Sequence, residues 1–129
     1  MTINFDKALG IHVQALNVRQ QRTQVLATNV VNADTPGYKA KEIDFRAALK
    51  TANIQQVGVS RTHAGHIDGM PQPPTYEFYR VAEQPSVDGN TVDIQQEKAA
   101  VADNSVRYQS TVSFLSRKFS GLTAAFRGE

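Results

Sequence analysis

The sequence predicts a mainly α chain in which long N- and C-terminal helices pair as a coiled coil and enclose a small irregular, strand-rich middle segment. Three observations carry that expectation. Apolar residues recur at steps of three and four at both ends of the chain, every proline except Pro36 falls in the middle, and a proline-glycine turn cuts the first helix short. The natural divisions are 1–34, 35–90 and 91–129.

From Phe5, apolar residues recur at Leu9, Leu16, Leu26 and Val30, with His12, Arg19 and Thr23 filling the intervening positions of a four-three spacing. This predicts a helix of about 27 residues, about 40 Å long, whose pairing seam is wet. A second stripe of Ile11, Ala15, Val18 and Val25 lies on a neighbouring face, so one partner helix does not cover the apolar surface.

The helix must end in Asn29-Val30-Val31-Asn32-Ala33-Asp34-Thr35-Pro36-Gly37-Tyr38. Thr35 precedes a proline and is pushed out of the helical region, Pro36 presets the first turn position, and Gly37 accepts the positive φ of a type II turn. Tyr38 is expected to clamp the exit strand onto a helix with its ring. A buried amide can fix helix register at some cost in stability, a role open to Asn29 and Asn104 beside simple capping; for Asn32, capping is the better reading.

The middle, 51–89, holds Pro71-Gln72-Pro73-Pro74 and half of the glycines, with strand-like pieces only at 57–61 and 75–81. A connection so long and weakly patterned is not an ordinary loop. Tyr76, Phe78 and Tyr79 give it docking surface, and we expect a small strand-rich element ordered on assembly.

The C-terminal stripe is stronger: Ile94, Val101, Tyr108, Val112, Leu115, Phe119, Leu122 and Phe126. Asp93 or Thr91 can cap this helix, Glu97 suits its positive end, and Arg117, Lys118 and Arg127 suit its negative end. Roughly 33 residues give a rod of about 50 Å. Two helices of this length with an unfinished core predict a subunit that gains stability from its neighbours.

Composition narrows the chemistry. The chain has 129 residues, 40% hydrophobic and 20% charged, one domain's worth at most and ordinary for a water-soluble protein. It has no apolar run near the ~20 residues a bilayer needs and no visible Sec-type signal. Zero cysteines exclude disulfides and thiolate metal sites, and a net charge of +2 with scattered bases argues against nucleic acid. His63-Ala64-Gly65-His66 lacks an obvious third ligand and reads as a solvated loop. No carboxylate pair or nucleophile-base pair stands out, and Ser110, Ser113 and Ser116 follow a polar helix flank. We expect no catalytic residue, metal, cofactor or small-molecule substrate.

The turn text, the preceding Leu26-Ala27-Thr28, and Lys39 after it resemble the N-terminal signature of the flagellar rod and hook axial family, with Val30 and Val31 departing from the usual residues. Lys41-Glu42-Ile43-Asp44-Phe45, Gly89-Asn90-Thr91-Val92-Asp93, Ser105-Val106-Arg107-Tyr108-Gln109 and the run 114–122 are similar to proximal-rod members of that family. The resemblance implies a structural subunit of the proximal rod that polymerises through its terminal helices and transmits torque from the membrane ring to the distal rod. The partners it implies are other copies of the chain, the rod proteins FlgC and FliE, and membrane-ring or export-gate components. It also implies a periplasmic position in the basal body, reached through the flagellar type III apparatus without a cleaved signal. Two other classes stand beside this one: a soluble coiled-coil adaptor or export chaperone of the flagellar system, and a peptidoglycan-cleaving enzyme accompanying rod growth.

Overall fold

A computed structural model describes residues 5–55, 76–82 and 86–128. Its elements in chain order are α1 (Phe5–Val31), β1 (Lys41–Ile43), α2 (Phe45–Gln55), β2 (Glu77–Tyr79) and α3 (Ile94–Arg127). Long terminal helices and a two-stranded sheet between them match the expected fold class. The strand-like piece at 57–61 and the two histidines at 63 and 66 lie outside the described residues.

Helices α1 and α3 run antiparallel. Asn29 reaches Glu97 near the end of one and the start of the other, while Arg19 reaches Thr111 further along both. α1 stops because its last turn closes on itself: the Asn32 N–H donates to the carbonyls of Thr28 and Asn29, and the Asn32 side-chain amide donates to Thr28 O at 2.8 Å. That pairing gives Thr28 O a second donor beside the Asn32 N–H.

α3 opens on Asp93, whose extended backbone (φ −103°, ψ 112°) lets its carboxylate accept from the N–H groups of Gln95 and Gln96. Thr91, the other candidate cap, points its chemistry elsewhere, and its hydroxyl accepts from the Ala40 N–H at 2.7 Å. The far end of α3 closes on Gly128, left-handed at φ 75° and donating its N–H to Ala124 O.

α2 is an addition to the expected elements. Asp44 starts it, accepting from the Ala47 N–H through its carboxylate and from the Ala48 N–H through its carbonyl. The helix and β1 cover the C-terminal part of the second stripe of α1, for Val18, Ile43 and Ala48 form the buried cluster and Val25, Phe45 and Tyr76 pack against it, while Ile11 keeps 49% of its surface. The extra partner that α1 requires is therefore supplied in part within the same chain. β1 and β2 pair antiparallel with Lys41 opposite Tyr79, Glu42 opposite Phe78 and Ile43 opposite Glu77. Among the described residues, no helix is long and apolar enough to cross a membrane.

Candidate functional site: a polar clasp and an uncovered apolar stripe

The turn motif closes against a segment more than fifty residues away. Gly37 adopts φ 73°, and the Tyr38 N–H donates to Thr35 O at 3.3 Å, so the turn has the positive φ and the closing bond that its sequence demands. Asn90, buried, grips it: its side-chain amide lies 2.7 to 3.1 Å from the carbonyl oxygens of Asn32, Ala33 and Thr35. Backbone bonds complete the clasp, with Gly37 N–H donating to Asp88 O at 2.9 Å and Thr91 N–H donating to Tyr38 O at 3.0 Å. Gly89 is left-handed at φ 75° and stands against Gly37. The two glycines thus let two backbones approach where the chain doubles back.

Asn29 and Tyr38 tie the clasp to the helices. Asn29 is fully buried; its amide donates to Lys41 O at 2.7 Å and to Glu97 Oε2 at 3.3 Å, while its Oδ1 accepts from Lys41 N–H and the Tyr38 hydroxyl. Tyr38 does join the exit segment to α1, through its hydroxyl. Ala33 sits half-buried at the helix end, whereas Asp34, Thr35 and Pro36 are exposed at the turn.

Beneath the clasp lies a charge network that sequence reading did not assemble. Arg22 binds Glu42 with two hydrogen bonds of 2.9 Å each, and Arg80 sits 3.5 Å from Glu42 Oε2 and 2.9 Å from Glu97 Oε1. The Arg80–Glu97 contact is a close ion pair without the alignment of a hydrogen bond. Burial by itself would raise the pKa of Glu42, but the hydrogen bonds from Arg22 and the Ile43 N–H, with the charge of Arg80, outweigh it and hold the carboxyl below its ordinary 4.5. The hydrogen bonds to Glu42, with the charges of Glu42, Asp103 and Glu97, outweigh partial burial and hold the Arg22 guanidinium above its usual range. These four residues weld the hairpin to both helices.

The seam between α1 and α3 is polar. The buried residues of α3 are Glu97, Asn104 and Thr111, one per heptad. Asn104 donates to Arg19 O at 3.0 Å and Thr23 Oγ1 at 2.9 Å, and the Arg19 Nε donates to Thr111 Oγ1 at 3.2 Å. The Arg19 guanidinium also lies 4.5 Å from the centre of the Phe45 ring, so this one side chain bridges all three helices.

The predicted assembly residues divide accordingly. On α1, Leu9 and Leu26 are buried and Leu16 and Val30 half-buried. On α3, Val101, Leu115 and Leu122 are half-buried, but Tyr108, Val112, Phe119 and Phe126 are exposed, as is Phe114. Phe114, Phe119 and Phe126 retain 56%, 49% and 62% of their surface. Most of the stripe expected to face α1 is therefore left uncovered, and polar residues take its place at the centre of the seam. An open groove runs along the last turns of α3 between Val112 and Arg127. Among the described residues, no three His, Cys, Asp or Glu side chains group as metal ligands would.

Comparison with known proteins agrees in both halves of the clasp. Residues 9–39 match the family described as flagella basal body rod protein. The chain is 47% identical over 131 residues to the flagellar basal body rod protein FlgB of Aeromonas hydrophila, covering 100% of this chain and 99% of that protein. It is 44% identical to the protein of the same description from Escherichia coli strain K12, over 95% of this chain and 94% of that one. The one from Cereibacter sphaeroides is 42% identical, with 97% and 98% covered. A clasp that locks the ends of two long helices and an α3 stripe that none of the described elements covers accompany similarity along nearly the whole length, and the chain belongs to the FlgB family of flagellar basal body rod proteins.

Proposed function

We propose that this structural rod subunit assembles by packing the uncovered stripe of α3 against helices of neighbouring subunits, forming the proximal rod and carrying torque from the membrane ring toward the distal rod. The observation that carries this reading is the set of large exposed apolar residues along α3, with Tyr108, Val112, Phe119 and Phe126 open on one line of the helix. The residues that meet a neighbour are the exposed Tyr108, Val112, Phe119 and Phe126, with the half-buried Val101, Leu115 and Leu122 at the margin of the stripe, while Leu9, Leu16, Leu26 and Val30 hold α1 in place beneath them. The turn from Asn29 and Asn32 through Tyr38 holds the two helices at a fixed angle for that packing.

In this reading 1–34 and 91–129 are the rod-building parts and 35–90 the turn motif and strand-rich middle segment. The partners are other copies of the chain, FlgC, FliE, and ring or export-gate components, met in the periplasm after passage through the flagellar type III apparatus without signal cleavage. The role is mechanical and calls for no catalysis, cofactor, nucleic acid or small-molecule substrate, in keeping with relatives named as rod proteins.

Electron cryo-tomography of basal bodies in cells lacking the protein tests this, with the gene restored as control. Rings without a rod are expected. Complete basal bodies bearing normal filaments would overturn the structural reading and favour an adaptor or export chaperone.

A further inference from the structure

α3 carries two stripes side by side. Glu97, Asn104 and Thr111 define one line along the helix, and Val101, Tyr108, Val112, Phe119 and Phe126 define another, rotated by roughly 50° at 100° per residue. α1 receives the polar line, although the apolar one lies next to it and would bury more hydrocarbon. Hydrophobic burial alone would roll α3 by that angle toward α1.

We infer that the three polar layers are a rotational lock, holding α3 turned so that its apolar stripe faces outward and stays available to a neighbouring subunit. This rests on the reading of the stripe as the assembly face. Each layer has a partner that a rolled helix would lose. Glu97, with 0% of its surface exposed, faces Asn29 and Arg80; Asn104 faces Arg19 O and the Thr23 hydroxyl; Thr111 faces the Arg19 guanidinium. Rolling would take the buried Glu97 carboxylate away from both Asn29 and Arg80 and strip Asn104 of its two acceptors, a penalty that sets rotation more sharply than apolar contact can. The lock is also imperfect in a telling way: Asn104 Oδ1 is buried without a partner. An amide kept at such a cost specifies geometry better than it stabilises, as single polar residues do in helix seams.

The test uses the purified full chain, whose lack of cysteine makes single-cysteine probes clean. Glu97→Ala, Asn104→Ala and Thr111→Ala together remove the three layers and add no hydrocarbon to the polar line, while Asn29, Arg80 and Thr23 keep other partners. Phe119→Cys reports the stripe, and Ala100→Cys reports the opposite flank of the polar line. If the lock holds, maleimide labelling at position 119 slows by about fivefold or more in the triple variant, and labelling at position 100 rises by a similar factor. The milder Asn104→Ala with Thr111→Ala gives smaller changes in the same directions. Unchanged labelling at both positions overturns the inference, and so does a failure to fold, because it would mean the polar residues hold the pair together and do not merely orient it. The labelling is decided without flagella, so it stands or falls apart from the rod reading. Complementation then checks the link to assembly: cells made non-motile by a rolled but folded subunit support it, whereas motile cells overturn the role given to the outward face.

Discussion

At the scale of single residues, the clasp depends on groups whose loss cannot be made good by water. Asn90 serves three carbonyl oxygens from a buried position, so Asn90→Ala should lower unfolding free energy by about 2 kcal/mol, read as a shift in the urea midpoint at constant slope. Gly37 has open space where a side chain would go, and its φ of 73° is the whole obstacle. Gly37→Val should therefore cost about 1 to 2 kcal/mol from backbone strain, and a β-branched residue should cost more than Asn at the same position. The turn is legible in the sequence because proline and glycine act on their own backbone. Asn90 is not. Its importance comes from meeting Asn32, Ala33 and Thr35 in space, and nothing in the local text around Asn90 announces that encounter. Glu97 suits a helix dipole on sequence grounds, whereas the fold buries it completely against Asn29 and Arg80.

At the scale of elements, the welding of the hairpin to the helices is sensitive to acid. A carboxyl with a depressed folded pKa contributes stability that is present above its unfolded value and disappears as pH falls through the folded one. For Glu42 the unfolded value is near 4.5, so stability should be flat above that pH and decline below it. Asp103, held low by its hydrogen bond from Arg107, and Asp88, held low by the Ser86 hydroxyl and the Asn90 N–H, titrate in the same direction. Glu42→Gln should then remove part of the acid dependence and leave the rest, measured by thermal melts from pH 3 to 7. The long helices are legible because their periodicity runs for many turns. α2 escapes such a reading although its signals are present: Asp44 is a capping residue, and Phe45, Ala48 and Leu49 sit at helical spacing. The stretch beginning at Lys41 reads as an extended exit, and the strand it does contain is only three residues long.

At the scale of the whole molecule, the chain separates what holds it together from what it offers to others. Polar layers, a clasp and a small apolar cluster fix the fold, and the large apolar residues of α3 stay outside. Periodicity reveals that such a stripe exists; it does not reveal which of two adjacent lines a partner takes, since that depends on hydrogen-bond partners on another helix. Phe119→Asp should consequently leave the melting temperature within a few degrees of the parent, as expected for an exposed site, while abolishing motility and leaving the secreted subunit unassembled. Leu115→Asp, on a half-buried residue, should reduce both stability and assembly. The contrast between these two substitutions, measured in the same strain and on the same purified protein, separates the outer face from the seam.

The clasp also sets an order in time. Helical turns in α1 and α3 form from neighbours in sequence, within about a microsecond, whereas Thr35 and Asn90 must find each other across a loop of more than fifty residues. Closing such a loop costs entropy before any contact rewards it, so the joining of the two ends is the late event, and the chain spends its early life as separate helical segments. The cost grows only with the logarithm of loop length. Lengthening the connection between α2 and β2 until the two halves of the clasp stand twice as far apart along the chain should slow refolding about threefold, so the length of that connection governs the pace of folding.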